Sequence, residues 1–118
     1  MKNIRQPPMI HHCNQTEYIQ RGANLVQMAA DACAAMYLPD RMKKLLTFYA
    51  DCPDGFRPAL KTVHDETGMN ESSICKARKE LVDVGFILYT PEEICIDWQR
   101  VATMAMLPPE ACFSLRRR

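Results

Sequence analysis

Several side chains in this sequence could do chemistry, and their spacing decides which of them act together. Six cysteines stand at positions 13, 33, 52, 75, 95 and 112, separated by 17 to 23 positions. No Cys-x-x-Cys pair occurs, which argues against a zinc ribbon or a thioredoxin-like motif. An even count would permit a disulfide framework, but the N-terminus lacks the apolar stretch of a secretory signal. The cysteines therefore read as small hydrophobes. His11-His12-Cys13 places three metal-ligating types side by side. Adjacent residues rarely converge on one ion without distant partners, so they are assigned to a polar arm and no metal site is expected. His64 reads as a packed histidine, and Asp65-Glu66 and Glu92-Glu93 as solvated carboxylates. No glycine-rich phosphate loop and no Ser-His-Asp or Cys-His arrangement stands out, so neither catalytic residues nor a cofactor is expected and the chain reads as non-enzymatic.

A second set suggests recognition rather than catalysis. Asn70, Ser72, Ser73, Lys76 and Lys79 fall within one helical stretch, on the side opposite Ile74 and Leu81. Serine and asparagine can bond phosphate or base edges, and lysine can do either. Arg57 and Lys61, just upstream, complete the candidate DNA-binding set. Charge is unevenly spread: residues 1–50 carry a net +3, residues 51–115 a net −5, and Arg116-Arg117-Arg118 closes the chain. Residues 40–98 hold eight Lys/Arg and eleven Asp/Glu. Duplex affinity comes largely from cations on phosphate, so such binding would need asymmetric placement, or help from Lys2, Arg5 and the arginine tail.

The elements that must position these residues can be read in order. At 118 residues and 47% hydrophobic the chain suits one ordinary globular domain, and no apolar run approaches a bilayer span. A cytoplasmic location is expected. Residues 1–15, broken by Pro7-Pro8, read as a flexible extended arm. Residues 16–107 form the domain, and residues 108–118 a basic tail. Within the domain, Leu25, Ala29, Ala32 and Met36 make one helical stripe beginning after Gly22. A second helix is expected over residues 40–51 with Met42, Leu45, Leu46 and Tyr49 inward. A third is expected over residues 59–67 with Leu60, Val63 and His64 inward, ended by Gly68. Asn70 caps a fourth helix of about 14 residues. Gly85 stops it before a hairpin of residues 86–89 and 94–98. A short last helix covers residues 99–107. Ile74, Leu81, Phe86, Leu45 and Leu60 are expected to share the core.

This order, with the spacing Gly68…Ile74…Leu81…Gly85-Phe86-Ile87 after Phe56-Arg57-Pro58, resembles the winged-helix domains of phage and plasmid replication proteins. It is more loosely similar to those of bacterial transcription regulators. The resemblance covers about residues 40–98, and Ala59 stands where the pattern usually has a capping serine. It implies a mainly α fold with a small β-hairpin, a winged helix-turn-helix with an extra N-terminal helix. It also implies a mobile-element protein that binds DNA in replication initiation or transcription control. The alternative is a winged helix that binds protein, an adaptor with Glu92 and Glu93 at the wing tip as part of its contact. The Leu25 to Met36 stripe is expected to be core or a homodimer seam, and no membrane is expected to be a partner.

Overall fold

The computed structural model describes residues 6–106. Expectations for residues 1–5, Leu107 and the basic tail lie outside them. The order is β1 (Met9–Cys13), α1 (Gln15–Gln20), α2 (Leu25–Ala35), α3 (Asp40–Asp51), α4 (Leu60–Thr67), α5 (Glu71–Asp83), β2 (Ile87–Tyr89), β3 (Glu93–Asp97) and α6 (Trp98–Met106). The chain is thus mainly helical with a small sheet. No described helix is long and apolar enough to cross a membrane.

Local chemistry accounts for the helix boundaries. Asn24 and Asn70 each accept a hydrogen bond from the backbone N–H three residues on, the N-cap interaction, and so start α2 and α5. Pro39 precedes the first turn of α3, where its missing N–H costs nothing. Ala59 gives α4 no side-chain cap, as the absent serine implies. Gly68, at φ +75°, ends α4 with its N–H on His64 O. Gly85, at φ +84°, ends α5, and a Cβ there would lie 2.9 Å from Arg100 Nε.

The sheet departs most from expectation. β2 and β3 pair as the antiparallel hairpin, but β1 adds a third strand parallel to β3, in the order β1-β3-β2. Residues 9–13 are therefore a strand, not a flexible arm. Ile10 also exchanges backbone hydrogen bonds with Gly55 and Phe56, so β1 lies between β3 and the segment leading to α4. The inner sheet face carries Ile10, His12, Ile87, Ile94 and Ile96, all buried. His12 can be inward because both ring nitrogens are bonded. Trp98 Nε1–H donates to Nδ1 (3.1 Å), so Nε2 carries the proton and donates to Cys52 O (2.7 Å). No buried side-chain N or O among the described residues lacks a partner.

Leu45, Ile74, Leu81 and Phe86 are all fully buried, as expected. Leu60 is 37% exposed and His64 is exposed, so Val63 alone anchors α4 among the three residues assigned inward. An eight-residue helix packed along one side needs only a narrow apolar stripe. The helix expected from Gly22 forms as α2, and residues 17–20 fall in a separate helix, α1. α2 packs on α3 and α6. Ala29, Ala32 and Met36 are buried within the single chain, so this part of the Leu25 to Met36 stripe is core, while Leu25 and Met28 are half-buried.

Candidate nucleic-acid interface

α4 and α5 are joined by Gly68-Met69-Asn70. The left-handed glycine turns the chain. Met69 is buried, and its carbonyl lies 2.7 Å from His64 Nδ1, so the exposed histidine fastens the turn. Ile74, Ala77 and Leu81 then bury one side of α5. On one flank Glu80 takes a two-pronged ion pair from Arg41 of α3 (Nε–Oε1 2.7 Å), fixing α5 against α3. That hydrogen bonding holds the Glu80 carboxyl below its ordinary pKa.

The expected contact residues separate into different roles. Asn70 is a structural cap: its Oδ1 accepts from Ser73 N (2.8 Å) and Ser72 Oγ (3.0 Å). Ser73 is half-buried and Ser72 exposed. Lys61 is exposed but sits 3.3 Å from Asp65 one turn along α4. Arg57 is exposed and donates to Pro7 O (3.1 Å). Lys76 and Lys79 are exposed on the outer side of α5, and neither makes an ion pair among the described residues. Glu71 and Asp83, also exposed, lie at the two ends of the same helix.

The hairpin differs from the expected wing. Glu93 is not at a free tip. It starts β3, with Oε2 3.6 Å from His11 Nε2 and Oε1 accepting from Cys95 Sγ at 3.0 Å. Glu92 remains exposed. The hairpin tip therefore carries one free carboxylate rather than two.

Between the β2–β3 hairpin and α5 runs an open groove of about 1040 Å3. Its walls come from Pro7-Pro8, the Arg57 to Leu60 segment, Cys75 and Arg78 of α5, and Tyr89, Pro91 and Glu92 of the hairpin. Arg78 lies on the flank of α5, with its guanidinium carbon 4.7 Å from the centre of the Tyr89 ring and its Nε on Tyr49 Oη (3.3 Å). Only the packing of the hairpin against α5 makes this pair, and no local pattern announces it.

The thiols fit a structural role better than a reactive one. The five described cysteines are unpaired. Burial pushes the Cys33 thiol up to about 12 and the Cys52 thiol up to about 11, which suppresses the nucleophilic thiolate. Burial, with Glu93 and Cys13 beside it, raises Cys95 to about 12. Cys75 is the exposed one. Among the described residues no group of three or more His, Cys, Asp or Glu side chains is arranged to hold a metal ion.

No protein-family model matches the chain, and neither a curated protein nor a solved structure does.

Proposed function

We propose that the chain is a DNA-binding protein of the winged helix-turn-helix kind, with α4 and α5 as the helix pair, β2 and β3 as the wing and α5 as the recognition helix. Its setting would be replication initiation or transcription control in a mobile element. The observation that carries this reading is the pair Lys76 and Lys79. They are exposed ammonium groups on the helix after the turn, and neither forms an ion pair among the described residues, although Lys76 lies near enough to Glu80 to help lower its pKa. Of the other lysines on α3 and α4, Lys44 and Lys61 are tied to Asp40 and Asp65, while Lys43 is exposed and, like Lys76 and Lys79, makes no ion pair among the described residues. A helix anchored by Ile74, Ala77 and Leu81 holds such cations at fixed spacing, which suits entry into a major groove.

A second reading, a protein-binding winged helix, is favoured by exposed apolar groups on the wing: Leu88 is 62% exposed and Tyr89 37%. Anisotropy titration of a labelled random duplex at two salt concentrations separates the two. Under the first reading Lys76→Ala weakens binding by roughly 1–3 kcal/mol if the lysine meets a base, and by less if it meets phosphate. Absence of duplex binding at low salt, with loss of a partner complex on Leu88→Asp, would establish the second.

A further inference from the structure

We infer that the groove between the wing and α5 is a site for an unpaired nucleic-acid strand, separate from the outer face of α5. The inference rests on the nucleic-acid part of the proposed function but not on how α5 is used.

Arg78 is half-buried, yet it makes no ion pair among the described residues. Taking a guanidinium partly out of water without a counter-charge is costly. Here the Tyr89 ring and the Tyr49 hydroxyl meet that cost in part, and both also fix the side chain in place. Arg57 lies along the same groove and is likewise unmatched by a carboxylate, its guanidinium bonded to the Pro7 carbonyl. Two fixed cations with unspent N–H donors make an anion site, because a guanidinium fork fits phosphate oxygens.

The rest of the groove says which phosphate. Its walls are proline, Leu60 and Tyr89 rather than further cations, a surface that takes the flat faces of bases. Cations that track a backbone beside apolar and aromatic platforms are the pattern of single-strand binding. A volume of about 1040 Å3 admits a few nucleotides of one strand, whereas a duplex would not fit inside. Glu92 at the rim is the opposing charge and should weaken the site.

The test is anisotropy of a labelled oligothymidylate and of a duplex of equal length, with full-length protein, at low and moderate salt. Arg57→Gln and Arg78→Gln should each weaken single-strand binding about fivefold or more, and by clearly more than they weaken duplex binding. Glu92→Gln should tighten the single strand. Arg57 and Glu92 are exposed, so these two variants decide the matter even if Arg78→Gln unfolds, which circular dichroism reports. The inference is overturned if the wild type does not bind the oligothymidylate at low salt. It is also overturned if Arg57→Gln and Glu92→Gln leave that binding unchanged, or if single strand and duplex lose affinity equally. Lys76→Ala with Lys79→Ala should spare the single strand. Groove-sensitive single-strand binding without any duplex binding would end the α5 reading and leave the groove assignment standing.

Discussion

Removing one N–H from the core should release the N-terminal strand. Trp98 is fully buried, and its indole lies parallel to His12, 6.0 Å centre to centre, while donating to His12 Nδ1. Trp98→Phe deletes the donor and one ring. The orphaned Nδ1 cannot be reached easily by water, because His12 is only 8% exposed. A buried acceptor without its partner costs about 1–3 kcal/mol. The lost ring adds about 1–2 kcal/mol of transfer and cavity energy. Together they come to about 2–5 kcal/mol, and in a domain of this size a fall in Tm on the order of 10–20 °C. Circular dichroism during denaturation is the assay, since the substitution removes the only tryptophan.

Cavity and hydrogen bond can be told apart by a double-mutant cycle with His12→Ala. A real Trp98–His12 bond gives a coupling energy of about 1–2 kcal/mol. A Trp98→Phe midpoint equal to that of the wild type, or a cycle that closes to zero, would refute the argument that this pair fastens β1.

Leu81 has no exposed surface, so Leu81→Ala should destabilise by about 2–5 kcal/mol in a chemical melt, and an unchanged melt would displace α5 from the core. Ala32→Glu should unfold the chain rather than yield a folded monomer, because it puts a carboxylate at a fully buried position between helices; sedimentation with circular dichroism reads the difference. Glu80 has a lowered pKa in the fold, so its contribution is present above the unfolded carboxylate pKa and fades as pH falls through the folded one. Glu80→Gln should therefore be destabilised at neutral pH and converge with the wild type in acid. Among the described cysteines, a maleimide should label Cys75 first in the native protein and reach Cys33 and Cys52 only on unfolding, as peptide mass spectrometry would show.

The sequence made α3 and α5 plain, because each carries its own boundary signals and an apolar stripe whose members are fully buried: Leu45 and Leu46 in one, Ile74, Ala77 and Leu81 in the other. β1 was not legible. Its inner face offers Ile10 alone as an obvious apolar residue. The other inward side chain, His12, is inward only because Cys52 and Trp98 satisfy it from 40 and 86 residues away. The groove was hidden for the same reason. Arg78 and Tyr89 meet only after the hairpin folds back on α5, and Pro7 reaches Arg57 only once β1 has joined the sheet. Contacts set by local spacing can be read from a sequence, but those closed by distant hydrogen bonds cannot.

Net charge is a poor guide to what this surface attracts, because many of the carboxylates already face partners within the chain. Asp40, Asp65, Glu80 and Glu93 face cations or a histidine, Asp54 accepts from His12 N, and Asp97 from Arg100 N. The balance near α5 then turns on Lys76 and Lys79 against Glu71 and Asp83, and in the groove on Arg57 and Arg78 against Glu92. Each phosphate neutralised on duplex DNA contributes a slope of about −0.9 in log affinity against log salt, and on a single strand about −0.7. Two lysines thus predict a duplex slope of roughly −1.8, and two arginines a single-strand slope of roughly −1.4. Both are shallow, so binding should survive moderate salt while never being tight on charge alone. A slope steeper than about −4 would refute this account. It would move the phosphate contacts to cations outside the described residues, Lys2, Arg5 and Arg116 to Arg118, and deletion of residues 116–118 would then flatten the line where Lys76→Ala does not.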